Sequence, residues 1–146
     1  MDVHVSKHIN APIATVFDVF SDIEKIQDRI EGITQVEILS DIKQGVGTHW
    51  RETRVMFGKE ATEEMEISQL ESNRSYDVIA SSHGMDYHSV YTFTEKDGGT
   101  LVEMTFSGTP ISMMAKLMTP IGYLFKNATK KALEADMDDL KIVCEQ

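Results

Sequence analysis

Apolar and polar positions alternate at the start of the chain. Val3, Val5 and Ile9 fall on one side and His4, Ser6 and His8 on the other, which predicts a strand with one buried face. The period then lengthens. Ile13, Val16, Phe17 and Phe20 recur at helical spacing, and Pro12 suits a first helical turn, where a missing N–H costs nothing. Ser21-x-x-Glu24 reads as a capping box opening a second short helix with Ile23, Ile26 and Ile30, ended by Gly32. From Thr34 to Ser107 the helical period gives way to six strands, the first of them holding Val36 and Ile38, with Leu39 as an optional last residue. The chain closes with one helix from about Ser112 to Cys144, about 50 Å long at roughly 1.5 Å per residue. Its first half is predicted to face inward through Met114, Leu117, Met118, Ile121 and Phe125. Pro120 either kinks this helix or separates a short one over 111–119 from the main one.

Turn residues extend the pattern to strand pairing. Gly58-Lys59 suits a two-residue type II′ turn, setting Trp50 opposite Ile67, Glu52 opposite Met65, Arg54 opposite Glu63 and Met56 opposite Ala61. His83-Gly84 sets Ser82 opposite Met85, Ala80 opposite Tyr87, Val78 opposite Ser89 and Tyr76 opposite Tyr91. Asp97-Gly98, a type I′ signal, sets Phe93 opposite Val102, Tyr91 opposite Met104 and Ser89 opposite Phe106. All three turns assign the same parity inward and leave Arg51, Thr53, Glu64, Glu66, Asp77, Asp86, Thr92 and Glu103 outward. The fold class is therefore α+β: a one-sided antiparallel sheet whose apolar face is covered by the closing helix.

The absence of a linker, repeat or low-complexity tract in 146 residues indicates a single domain over 1–146. A formal net charge of −10 disfavours nucleic acid and anionic membrane surfaces as partners. Lys126, Lys130 and Lys131 are a local exception, read as a solvated helix face. Cys144 is the single cysteine, so no intrachain disulfide is possible, and its place near the end suits a small helix residue. No apolar run approaches the roughly 18 residues of a membrane span. The first residues lack the basic start and apolar stretch of a signal peptide, so a cytoplasmic location is expected.

Ile9-Asn10-Ala11-Pro12 with Val16-Phe17 and Ser21-Asp22, then Gly45-x-Gly47-Thr48-x-Trp50-Arg51-Glu52, then the helix over 114–140, resemble the START-like, helix-grip (SRPBCC) superfamily. That superfamily includes the birch-pollen-allergen fold, and the likeness is to its bacterial polyketide cyclase/dehydrase-like members. The resemblance spans nearly the whole chain. It implies a curved seven-stranded antiparallel sheet in β-α-α-β6-α order gripping the C-terminal helix, with a cavity for hydrophobic molecules between them. It implies no cofactor, and it supplies no catalytic motif to carry over.

The inward parity holds the candidate chemistry. Trp50, Met56, Met65, Tyr76, Val78, Tyr87, Ser89, Tyr91, Phe93, Met104 and Phe106 are expected to line a ligand pocket from the sheet. Met114, Leu117, Met118, Ile121 and Phe125 are expected to line it from the helix. The tyrosines can contact apolar surface while hydrogen-bonding a polar atom. The methionines, Met85 included, make a deformable lining. Arg54 and Glu63, with Glu52 beside them, are the candidates for acid–base chemistry: Arg54 orienting a carbonyl or enolate while a glutamate moves a proton. A structural ion pair at the sheet edge is the alternative. Metal ligation is not expected, since His4, His8 and His49 face outward, and Ser81, Asp86 and His88 fall on a convex face without an oxyanion pocket. Gly45-x-Gly47 precedes a strand, so it is no phosphate loop. Three functions stay open to the sequence. The leading one is a binding protein for a hydrophobic small molecule, aromatic, polyketide-like or lipid-like. The others are a polyketide cyclase/dehydratase-type enzyme using the same cavity, and a co-chaperone-like interaction module, which would need an exposed apolar patch. Oligomeric state is not addressed by the sequence.

Overall fold

Strand β1 (Asp2–Ile9) buries Val3, Val5 and Ile9 and leaves His4 on the other face, as the alternation requires. The computed structural model describes residues 2–56 and 58–146. Helix α1 (Ile13–Ser21) buries Val16, Phe17 and Phe20, and a 3-10 turn (Ile23–Lys25) leads into the short helix α2 (Ile26–Arg29). The expected capping box does not form. Ser21 Oγ donates instead to the carbonyl of Phe17 one turn back, at 2.7 Å, because Ser21 still belongs to α1.

Strands β2 (Ile33–Ile38), β3 (His49–Met56), β4 (Lys59–Glu71), β5 (Ser75–Ser82), β6 (Met85–Lys96) and β7 (Gly99–Pro110) follow. Among the described residues seven strands form one antiparallel sheet in the order β1-β7-β6-β5-β4-β3-β2, with β1 and β2 at its edges. Register breaks between Ile33 and Gln35 and between Ile67 and Gln69 bend it, as bulges do. Thr48 is fully buried, and its Oγ donates to the carbonyl of Gly45 at 2.8 Å. Gly45 and Gly47 both have positive φ, so the loop before β3 is a tight, glycine-dependent fold-back.

Two of the three turns give the expected register. Tyr76 lies opposite Tyr91 and Ser82 opposite Met85, and Phe93 lies opposite Val102. The β3–β4 register is displaced by two residues. Trp50 pairs with Met65, Glu52 with Glu63, Arg54 with Ala61 and Met56 with Lys59. Gly58 takes φ +77°, so the glycine fills a left-handed position without being first in the turn. A two-residue displacement preserves parity, so the same side chains face inward although their partners change.

The closing helical stretch is not one rod. It runs as α3 (Met113–Leu117), α4 (Thr119–Gly122), a 3-10 turn (Tyr123–Phe125) and α5 (Lys126–Cys144). Of the two expectations for Pro120, separate helices describes the chain. Ser112 caps α3, its Oγ accepting from the Ala115 N–H at 3.0 Å, while the Ile111 and Ser112 N–H groups donate to the Gly84 carbonyl. A side chain at Gly84 would collide with Ser112, so the β5–β6 turn and α3 depend on that glycine. Only α5 crosses the sheet. Its far end is tied down: Lys141 Nζ donates to the His8 carbonyl at 2.9 Å, and the Asn10 N–H donates to Glu145 at 2.7 Å. Lys7 pairs with Asp138, and the Glu31 N–H donates to Asp139. Beneath these ties Met137, Leu140 and Cys144 complete a core with Val3, Ile9, Phe17, Phe20 and Val102. None of the described helices is long and apolar enough to cross a membrane.

Candidate functional site

The curved face of the sheet and α5 do not meet everywhere. Between them lies a cavity of about 410 Å3. Its sheet wall holds Trp50, Glu52, Arg54 and Met56 from β3, Glu63 and Met65 from β4, and Tyr76 and Val78 from β5. Tyr87, Ser89 and Tyr91 from β6 and Met104 and Phe106 from β7 complete it. Period two places them together, since each strand sends alternate residues inward. The helix wall is Thr129, Ala132, Leu133, Asp136, Met137 and Leu140, one face of α5 at helical spacing. Phe20, Ile23, Ile26, Ile30 and Ile33 close the end nearest α1 and α2.

Six of the expected lining residues lie elsewhere. Phe93 sits in the dry core, in ring contact with Phe17 at 5.1 Å and Phe20 at 5.6 Å, and lines no part of the cavity. Met114, Leu117, Met118, Ile121 and Phe125 are exposed rather than inward, Leu117 by 69%. The reason is geometric. α3 is pinned to the β5–β6 turn and the helix breaks at Met118, ahead of Pro120 in the first turn of α4, so these side chains do not reach the cavity. Met85 is likewise absent from the lining, and Met137 of α5 takes a place there.

The polar corner is built differently from the expected Arg54–Glu63 pair. Arg54 Nη2 donates to Asp136 Oδ2 at 2.9 Å, and Arg54 Nε donates to Glu52 Oε2 at 3.2 Å. Glu63 stands opposite Glu52, also on the cavity wall. A guanidinium and a carboxylate in so dry a place are each unfavourable alone, and the pairing offsets that. Burial opposes the charge of Arg54, but Asp136 and Glu52 outweigh it and hold the guanidinium protonated beyond its ordinary range. One cation faces two carboxylates. Burial therefore raises the Asp136 pKa against the pull of Arg54, and Glu52 adds to the rise. Asp136 was missed from the sequence, although a carboxylate on the same helical stripe as Leu133, Met137 and Leu140 was a readable signal.

The aromatic lining forms two stacked pairs, Tyr76–Tyr91 at 4.6 Å and Tyr87–Phe106 at 5.6 Å. Tyr76 spends its hydroxyl on the Phe20 carbonyl at 3.2 Å, a structural bond. Burial pushes the Tyr76 and Tyr91 phenols well above the ordinary value, with the Asp136 and Glu52 charges adding at Tyr91. Burial also raises Tyr87, helped by Glu63. Trp50 is 3% exposed, and its indole N–H finds no hydrogen-bond partner among the described residues.

On the outer face Ser81 donates to Asp86 at 2.6 Å, but His88 turns to Asp77 at 2.8 Å, so these residues assemble no Ser-His-Asp triad. Among the described residues no three His, Cys, Asp or Glu side chains converge in a metal-binding arrangement.

The sequence matches a family model described as polyketide cyclase / dehydrase and lipid transport over residues 1–145. The chain belongs to that family. No curated protein matches it significantly. Among solved structures it is similar to TTHA0849 from Thermus thermophilus, with TM-score 0.74, 19% identity and coverage of 97% of this chain and 94% of that one. It is similar to the di-domain ARO/CYC StfQ of the steffimycin biosynthetic pathway, with TM-score 0.80, 10% identity and coverage of 99% of this chain and 50% of that one. Norcoclaurine synthase of Thalictrum flavum is a third, with TM-score 0.74, 17% identity and coverage of 100% and 94%. At such identities the likeness is one of fold, the helix-grip fold. The family and these neighbours support a fold for hydrophobic ligands, and this chain has a cavity of about 410 Å3 between its sheet and α5.

Proposed function

We propose that this protein binds a flat, mainly apolar small molecule, aromatic, polyketide-like or lipid-like, in the cavity between the sheet and α5. The observation that carries this reading is the cavity's division of labour. Aromatic, methionine and aliphatic side chains form most of the lining of a cavity of about 410 Å3, while its charged groups are confined to Arg54 with Glu52, Glu63 and Asp136. A volume of several hundred Å3 with few polar groups is the usual form of a small-molecule site. The unpaired Trp50 N–H favours a ligand with an oxygen acceptor. Trp50 is also the single tryptophan, so its fluorescence reports on the cavity wall alone. Titration with 2-naphthol should quench that emission saturably, and native mass spectrometry should show a one-to-one adduct. An unchanged Trp50 signal together with no adduct would sink the proposal.

A second reading, catalysis in the same cavity, is favoured by the excess carboxylate beside Arg54. In it, Asp136 or Glu52 takes a proton from a carbon next to a ketone, the C–H electron pair forms the C=C bond as the C=O π pair moves to oxygen, and Arg54 stabilises the resulting enolate. That enolate carbon can then form a C–C bond to a second carbonyl of the same chain, whose π pair moves to its oxygen and takes the proton back from the carboxyl group, as cyclisation requires. Deuterium exchange into a bound 1,3-diketone, followed by NMR, distinguishes the two. Exchange abolished by Asp136→Asn and Glu52→Gln supports an enzyme, and binding without exchange supports a carrier.

A further inference from the structure

The segment 111–125 exposes nine large apolar side chains, Met113 by 76%, Leu117 by 69% and Leu124 by 78% among them. Isolated exposed leucines are ordinary, but nine in one short segment form a patch of the kind that marks an interaction surface. Its charge is as unusual as its hydropathy. Between Glu103 and Glu134 the chain has no Asp, Glu or Arg and four lysines, Lys116, Lys126, Lys130 and Lys131, in a protein of net charge −10. All four lysines are exposed. The patch sits at one end of the molecule, beside the β5–β6 turn that holds Ser112.

We propose that this end docks onto the surface of an anionic phospholipid bilayer, with the α3–α4 side chains entering the headgroup boundary and the four lysines meeting lipid phosphates. Exposed apolar side chains flanked by lysines are what an interfacial segment needs, since lysine stems reach outward along the apolar surface. The overall negative charge does not prevent contact. Screening over roughly 8–10 Å weakens the influence of distant carboxylates, and the charged residues of the stretch itself are all lysines. The same charge argues against a second copy as the occupant: a two-fold dimer on this face would bring four lysines of one copy against four of the other. The carboxylate-free stretch removes the repulsion that kept an anionic surface off the list of partners at the level of net charge. This inference rests on the outer surface and stands whether or not the cavity holds a ligand.

Vesicle co-sedimentation tests it, using phosphatidylcholine with and without phosphatidylglycerol. The full chain should pellet with the anionic vesicles and largely stay free of the neutral ones, and added salt should weaken binding. Each replacement among Lys126→Gln, Lys130→Gln and Lys131→Gln should weaken binding about fivefold. Leu117→Asp with Leu124→Asp should abolish it. Because both leucines are exposed, the double variant should keep the wild-type thermal unfolding curve, and the lysine series gives an independent reading that touches no packed residue. Protein that remains in solution with anionic vesicles overturns the proposal, as does binding that ignores both lipid charge and the lysine series. A dimer in sedimentation velocity that dissociates in the leucine variant, without vesicle binding, would assign this face to a second copy instead.

Discussion

The two ends of the closing helical stretch obey opposite rules. At the end of α5, Met137, Leu140 and Cys144 are buried, and Lys141, Glu145, Asp138 and Asp139 tie the helix to β1 and α2. At the beginning, α3 is held chiefly by its cap, the Gly84 carbonyl and the buried Ala115, while its large apolar side chains face solvent. The cavity lies between. Hydrophobicity alone does not decide which end is core: 111–125 is more apolar than the last turns of α5. What differs is whether the backbone path brings the side chains within reach of the sheet.

Truncation at the dry end should have the largest effect. Phe17 is 4% exposed, lines no part of the cavity and contacts the rings of Tyr76 and Phe93, so Phe17→Ala should lower unfolding free energy by about 3–5 kcal/mol. Phe106, half-buried on the cavity wall, has room behind it already, and Phe106→Ala should cost roughly half as much. Equal midpoints for the two variants in urea denaturation would erase the distinction between packed and open ends.

The charged corner comes next. Arg54→Met leaves Glu52 and Asp136 facing each other without their cation, and should destabilise by about 2–3 kcal/mol, reduced from the fully buried case by the partial exposure of the group. The triple replacement Glu52→Gln, Arg54→Met, Asp136→Leu should recover most of that loss, because no buried charge is left unpaired. If the triple variant is no better than the single one, the cluster owes its place to packing of the arginine stem rather than to charge balance.

The smallest effect is read by alkaline pH. Tyr76 and Tyr91 have native pKa values raised above the ordinary 10.0, by burial first. The sign follows directly. Above that value an unfolded chain loses these protons while the native state keeps them, so stability is full below about pH 10 and falls as pH rises further. Absorbance titration should show Tyr76 and Tyr91 ionising only as the fold is lost. Ionisation of both phenols before unfolding would mean that water enters the stacked pair freely.

Most of the sheet was legible because its information is local. A buried strand alternates every second residue, and Asp97-Gly98 and His83-Gly84 supply left-handed turn positions, so two registers followed from neighbouring residues. The β3–β4 register was not legible to the residue. Gly58 fits more than one place in a two-residue turn, and a slip of two leaves the pattern of inward residues unchanged. The cavity wall on the sheet survived that slip, and the Arg54–Glu63 pair did not. The helix wall was misplaced for another reason. The periodicity of 111–125 announces an apolar helix, yet no periodicity says what covers its apolar face.

Inward parity, the order of elements and the gathering of aromatic and methionine side chains on one sheet face were written in the sequence, because each depends on spacing within a strand or a turn. The partner of Arg54 was decided by tertiary structure. Asp136 lies 82 residues away and reaches the guanidinium only because α5 crosses the sheet at that level. Tertiary structure likewise chose 129–140 over 113–125 as the helix wall. A helical period identifies a face around an axis, and where that axis meets the sheet is set by the ties at its ends.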